Sequence, residues 1–191
     1  MHALVDETGR AGALVKVTCE SAPAARQAAF TTFVHQLAHH ALVRVPRDLT
    51  ELAQQDWSFG GTTVAAALEA VSGQVGESIA VTGLARFDCA KGLVYSYVTQ
   101  DGRQAVLLAM HTEASRAAAR EVLRSLAGQV LVQRIGGIVA TEEGLQEVFD
   151  PLELSDRPWS RDPSRTVQAV LEETLGAGSH VEAFAAFRVE R

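Results

Sequence analysis

The sequence predicts a soluble α+β protein built from two copies of one structural unit. Its 191 residues are 47% hydrophobic and 21% charged, as in a globular protein with a packed core. The order strand, turn, strand, helices, strand occurs twice, and similar letters recur at a spacing of about 100 residues, longer than a solenoid repeat. We therefore predict two subdomains, residues 1–92 and 93–191, each a three-stranded antiparallel sheet with helices on one face.

The first copy opens with a predicted β-hairpin, because apolar residues 3–5 and 13–17 flank a run of turn formers. Ala-rich residues 24–43 carry Phe, Val and Leu at helical spacing, and Pro46 marks a break after them. A loop then leads to a helix that a threonine caps and two glycines end, and a strand closes the copy. These features are residues 57–61, Thr62 or Thr63, Gly73 and Gly76, and residues 78–87.

The second copy is predicted to hold two strands joined by a turn, a helix, a loop with two prolines, another helix and a last strand. The strands are residues 93–99 and 105–110, joined by the turn 100–103, and the first helix is residues 114–132. The loop contains Pro151 and Pro158, the second helix is residues 164–175 and the last strand is residues 181–189. Its second helix begins Thr166-Val167-x-x-x-Leu171, which matches Thr63-Val64-x-x-x-Leu68 in the first copy. Such helix starts are common, but three matching segments in one order indicate a duplication.

Composition excludes several function classes. A net charge of −6 with 17 basic residues argues against a nucleic-acid backbone binder. No run of about 18 apolar residues suits a membrane span, and the first residues lack the basic region of a signal peptide. Cys19 and Cys89 lie in apolar runs, which favours buried free thiols over a disulfide. We therefore expect a cytoplasmic protein.

Few residues suggest chemistry. His35 and His39 are four apart on a predicted helix and could hold a metal, but Gln36 replaces the glutamate of a metalloprotease signature and no third ligand follows at a suitable spacing. Surface or partner-facing histidines are the favoured alternative. Cys19 could act as a nucleophile, although a buried inert thiol is the commoner case. No phosphate-binding or dinucleotide motif is present, so we predict no enzyme and no cofactor.

Several segments carry a family resemblance. Residues 12–20 read GALVKVTCE and look like a strand written GvLVEvNCE, and residues 156–167 read DRPWSRDPSRTV and look like eQPFvkdpsKTV. Shorter matches lie between and after them, at residues 75–79, 84–87, 94–98, 105–108 and 184–188. In this order, over nearly the whole chain, they resemble the core of elongation factor Ts, the nucleotide exchange factor of elongation factor Tu. The resemblance implies two related subdomains and a protein partner.

The departures from that family bear on its activity. The resemblance implies that a leading three-helix domain is absent and that a helical-hairpin insertion has shrunk to residues 135–154. The family's Cys-Glu is followed by Thr-Asp-Phe-Val, whose aspartate and phenylalanine enter the partner's GTPase domain and disturb its magnesium and phosphate site. The matching residues here are Ser21, Ala22, Pro23 and Ala24. Alanine has no acceptor oxygens and proline has no aromatic bulk.

The resemblance also sets the expected binding residues. Arg26 stands at the family's spacing, and Gln129 replaces a histidine that faces the partner in the family. Trp57, Phe59 and Trp159 are predicted loop aromatics that could serve as new anchors, or could simply cover the core.

The expected function follows from these residues. We expect an elongation factor Ts-like protein that binds elongation factor Tu or a related GTPase, with weak or no exchange activity. The alternative is a repurposed core that acts as a scaffold or subunit for a different protein. A homodimer is left open, and an enzyme with an unrecognised site is a third hypothesis.

Overall fold

The computed structural model describes residues 1–135, 137–141, 144–148 and 150–189, with the backbone alone described for the two short middle segments. The predicted insertion at residues 135–154 therefore lies partly outside the described residues. The strands are β1 His2–Val5, β2 Ala11–Cys19, β3 Ile79–Asp88, β4 Gly92–Val98, β5 Gln104–His111, β6 Gly137–Thr141, β7 Gly144–Val148, β8 Pro158–Trp159, β9 Asp162–Thr166 and β10 His180–Arg188. The α-helices are α1 Ala28–Arg44, α2 Leu49–Gln54, α3 Val64–Val75, α4 Arg116–Val132, α5 Pro151–Asp156 and α6 Val167–Leu175.

The strands form two three-stranded antiparallel sheets, and the predicted α+β class is confirmed. One sheet has the order β1-β2-β3 and the other the order β10-β5-β4. In each, a hairpin is followed by helices, and the returning strand pairs with the hairpin's second strand. Thr63 and Thr166 cap the starts of α3 and α6 in the same way. In each case the side-chain oxygen accepts the N–H of the residue three positions later.

The central strands are buried on both faces because their side chains alternate between two hydrophobic clusters. Ala13 and Val15 of β2 face the helices α1 and α3, while Leu14 faces the other sheet. In β5, Val106 and Leu108 face α4 and α6, while Leu107 faces back toward β2. The layers therefore run helix, sheet, sheet, helix. Because both faces of β2 and β5 are buried, these strands contain continuous apolar runs in sequence instead of an alternation between apolar and polar residues.

Glycines allow the two sheets to approach each other. A Cβ on Gly12 of β2 would lie 2.6 Å from Cγ1 of Val94, and one on Gly83 of β3 would lie 3.0 Å from the Phe187 ring. Real Cβ atoms avoid such distances, so larger residues at Gly12 or Gly83 would push the sheets apart.

Some element boundaries differ from the sequence prediction. Residues 24–26 form a separate 3-10 helix, because Gln27 adopts an extended conformation before α1 begins. Helix α3 continues through Gly73 and ends at Gly76, whose φ of 79° suits a left-handed cap. Helix α2 and the β8–β9 hairpin were not predicted. The hairpin occupies the first residues of the predicted helix 164–175, so α6 begins only at Val167.

Two further predictions concern the cysteines and the membrane. Both thiols are free, with Cys89 buried and Cys19 partly exposed. Within the described part of the chain, no helix combines the length and the apolar character that a membrane crossing requires.

Candidate functional site

The loop that follows β2 carries the residues predicted to match the family's exchange motif, and a carboxylate clamps it to the end of α3. Glu77 accepts the Ser21 backbone N–H at 2.8 Å, and the Ser21 hydroxyl donates to its other oxygen. The same hydroxyl oxygen accepts the N–H of Ala24 at 3.2 Å. Gln27 adds a bond from its side-chain amide to the Val75 carbonyl at 3.3 Å. The loop is therefore held at both ends.

The four predicted motif residues differ in exposure. Ala22 and Pro23 are exposed at the tip of the loop, and Arg26 is exposed beside them. Ala24 is only 1% exposed and belongs to the core under α1. Ser21 is partly buried by its clamp. Ala22, Pro23 and Arg26 are thus the residues of this loop that a partner can reach.

The loop borders a cleft of about 700 Å³ between α1 and the turn that joins β4 to β5. Cys19, Phe30 and His35 line one side, and residues 100–103 line the other. The Met1 amino group donates to the Gly102 carbonyl at 3.0 Å. The second sheet's turn therefore stands directly beside the first sheet's loop.

Burial shifts the pKa values of three groups at or beside this cleft toward their uncharged forms. Burial raises the pKa of the Cys19 thiol, and the nearby Glu77 carboxylate raises it further. Burial, His35 and the terminal amino group lower the pKa of His2 to about 4. Burial also lowers the pKa of the Met1 amino group. A protonated thiol is a poor nucleophile, so the cleft suits recognition better than covalent chemistry.

The two candidate metal ligands have separate aromatic neighbours. His35 stacks on His2 with ring centroids 3.9 Å apart, and His39 meets the edge of Phe59 at 5.5 Å. Across the residues that the structure describes, no group of three or more His, Cys, Asp or Glu side chains could hold a metal ion. The contacts around His35 and His39 are those of surface aromatic packing.

The predicted aromatic anchors differ in exposure. Trp57 is 7% exposed and packs against Phe33 at 5.5 Å and the buried His40 at 5.3 Å. Trp159 is 6% exposed and belongs to the core under α4 and α6. Both tryptophan rings therefore cover the core, which was the alternative to a role as partner anchors. Phe59 is 45% exposed and is the aromatic of the three that a partner can contact.

Gln129 is an internal clamp. It is 3% exposed, its amide donates to the Pro158 carbonyl at 2.9 Å, and its carbonyl accepts the Ser160 N–H at 2.9 Å. These bonds fasten the β8–β9 hairpin to α4. Local sequence patterns do not predict this role, because the two partners lie 29 and 31 residues away in a hairpin that its turn residues did not predict.

We expect Ser21→Ala to lower the free energy of unfolding by about 1.5 kcal/mol, because the clamp loses a charge-assisted bond and Ala24 loses its acceptor. Urea unfolding followed by circular dichroism measures this. Ser78→Ala changes an exposed serine close to the clamp and should have no measurable effect. Equal stability of the two variants would show that the loop is not clamped.

Comparison with known proteins agrees with the resemblance seen in the sequence. The family model described as Elongation factor TS matches residues 20–131, more than half of the chain. The chain belongs to the elongation factor Ts family. The matched segment starts at the loop after β2 and ends in α4, so it includes most of the candidate site.

Several relatives carry the name Elongation factor Ts. The protein of Symbiobacterium thermophilum is 27% identical over 213 aligned positions, which cover 92% of this chain and 67% of that protein. The protein of Clostridium kluyveri is 30% identical over 127 positions, covering 66% of this chain and 42% of the relative. The protein of Chlorobium phaeovibrioides is 34% identical, covering 66% and 44%. The matches to the latter two thus span less than half of each relative's length.

Proposed function

We propose that this chain binds elongation factor Tu or a related GTPase through the surface around Ala22, Pro23 and Arg26, with weak or no nucleotide exchange. Family membership supports the class of partner. The observation that carries the proposal is the loop itself, which presents its tip to solvent and is clamped beneath by Glu77. The protein acts by binding, and we place it in the cytoplasm with other members of a translation factor family.

Weak exchange follows from the chemistry of the exposed tip. To release a bound nucleotide, a partner must disturb the magnesium and phosphates, which an acidic or bulky aromatic side chain can do. Ala22 and Pro23 offer neither an acceptor oxygen nor an aromatic ring. The clamped loop is present, but its tip lacks the acidic and aromatic side chains that would act on the nucleotide.

The two subdomains are part of the same proposal. We propose that the boundary falls between residues 92 and 93, with 1–92 as one subdomain and 93–191 as the other. The first sheet ends at Asp88 and the second begins at Gly92, which supports a division at this connection. The contact of Met1 with Gly102 then joins the two subdomains beside the loop.

We expect the purified chain to bind elongation factor Tu loaded with fluorescent GDP, without speeding GDP release. Light scattering or native mass spectrometry measures the complex, and fluorescence loss measures release. The double variant Ala22→Asp/Pro23→Phe should accelerate release at least about tenfold, because it supplies an acid and a ring on the existing frame.

The control variant is Ala177→Asp, which adds an acid at an exposed turn between α6 and β10 and should leave release unchanged. Rapid release by the unmodified chain would contradict the proposed loss of exchange. No complex at micromolar concentration would contradict the proposed partner and favour the alternative, a repurposed scaffold for another protein.

A further inference from the structure

The exposed face of α4 forms the floor of a long groove in the second half of the chain. One depression of about 790 Å³ lies between α4 and the tip of the β8–β9 hairpin. A second, of about 870 Å³, lies between the end of α4 and the β4–β5 turn. The two depressions share Tyr97, Gly128 and Val132. They therefore adjoin along these residues, and we call the two together the arginine groove.

The groove is strongly basic although the protein is acidic. Its lining contains six arginines and two carboxylates. The arginines are Arg103, Arg120, Arg124, Arg134, Arg161 and Arg188, and the acids are Asp101 and Glu121. Because the chain has a net charge of −6, this concentration of positive charge contrasts with the remainder of the protein. Such a patch attracts negatively charged ligands and orients their approach.

Several of these guanidinium groups are available to a ligand. Arg120, Arg124 and Arg161 are exposed, and within the described part of the chain none of them forms an ion pair. Arg188 differs, because its guanidinium donates to the carbonyl of Val130 at 2.9 Å. It contributes charge to the groove wall and helps fix the end of α4. The exposed arginines on α4 and the hairpin are the ones that would contact a ligand.

The shape of the groove limits the ligand. The distance along α4 from Arg120 to Val132 is about 18 Å, at about 1.5 Å per helical residue. An extended peptide advances about 3.3 Å per residue, so about six residues would follow this path. Gly128 lies in the middle of the floor, and a Cβ there would meet no atom within 4 Å. A side chain at this position would therefore project into the open groove and make it shallower. The groove thus accepts a narrow, extended chain.

We propose that the arginine groove binds a short, extended, acidic segment of a partner protein. Guanidinium groups pair with carboxylates through two parallel hydrogen bonds, and the spacing of Arg120 and Arg124 by one helical turn suits carboxylates on alternate peptide residues. A long nucleic acid is disfavoured, because the net charge of −6 would repel the part that extends beyond the groove. This inference goes beyond the proposed function and does not depend on which protein is the partner.

Fluorescence anisotropy with a labelled octapeptide of alternating glutamate and alanine tests the proposal. We expect saturable binding that weakens as salt rises, and about tenfold weaker binding by Arg120→Glu/Arg124→Glu. The control Arg10→Glu/Lys91→Glu makes the same change in charge at exposed positions near the opposite end of β4, and should alter affinity less than about twofold. Circular dichroism confirms that each variant is folded.

A second variant tests the shape of the groove separately from its charge. Gly128→Leu fills the floor and keeps every arginine, and it should also weaken binding about tenfold, without loss of helix. Equal weakening by the two charge variants would overturn the proposal, as would unchanged binding by Gly128→Leu. Equal binding of a peptide with glutamine in place of glutamate would overturn it too. Tighter binding of an eight-nucleotide oligothymidylate than of the octapeptide would overturn the proposal and indicate that the groove binds a nucleic acid.

Discussion

Replacing Gly92 with alanine is expected to lower the free energy of unfolding by about 3 kcal/mol, because the first strand of the second sheet has no room for a side chain there. A Cβ on Gly92 would lie 1.9 Å from the Met110 carbonyl oxygen and 2.8 Å from the Cys89 sulfur. Both neighbours are fixed, since the Cys89 thiol donates to that carbonyl at 3.1 Å. Backbone atoms of β5 cannot rotate away as a flexible side chain could.

The measurement is urea unfolding at equilibrium, with Gly73→Ala as the matched control. Gly73 lies inside α3 and is exposed, and a Cβ there would have no atom within 4 Å apart from its chain neighbours and the backbone of its own helix. Alanine is the better helix former, so this variant should gain up to about 1 kcal/mol. Opposite signs for the same chemical change would confirm that the cost at Gly92 comes from contact with β5. A neutral Gly92→Ala would mean that β4 starts at a greater distance from Met110.

Local signals in the sequence were sufficient to predict much of this fold. Thr63 and Thr166 are followed by helical spacing, and Gly102 stands in a turn between two apolar runs. Each of these features involves residues only a few positions apart, so short-range backbone chemistry determines them. The duplication could be found in the same way, because both copies use the same local signals.

Contacts between distant residues could not be predicted in this way. The clamp joins Ser21 to Glu77 across 56 positions, and no pattern near either residue indicates it. Trp57 stands next to turn formers and was predicted in a loop, yet its ring is buried against α1. The arginines of the groove come from separate elements and meet only when α4, the β4–β5 turn and the hairpin pack together. Packing of the whole chain, and not local propensity, creates these sites.

Replacing His40 with alanine is expected to lower the free energy of unfolding by about 3 kcal/mol at pH 8. His40 lies on α1 and is fully buried. Its Nδ1 accepts the Ser58 N–H at 3.3 Å, so the ring proton is on Nε2 and donates to the Gln55 side chain at 3.0 Å. Alanine would remove both hydrogen bonds and a ring that packs against Trp57.

This loss should shrink as the pH falls, because the folded chain holds the buried ring in its neutral form. Burial lowers the pKa of His40 below its ordinary value of 6.5, with Arg44 and His39 acting in the same direction and the Gln55 bond opposing them. The unfolded chain therefore takes up a proton at a higher pH than the folded chain does. The stability that His40 contributes is fully present above pH 6.5 and declines below it.

Urea unfolding at pH 8 and at pH 5 tests the effect, with the difference between wild type and His40→Ala compared at the two values. His2 titrates in the same range, with a folded pKa of about 4, but it is present in both proteins and cancels in the difference. His180→Ala, at an exposed position, should cost less than about 1 kcal/mol at either pH. A His40→Ala penalty that is equal at pH 8 and pH 5 would show that the pKa of His40 is the same in the folded and unfolded chains. A smaller penalty at pH 5 would confirm that folding lowers the pKa of His40.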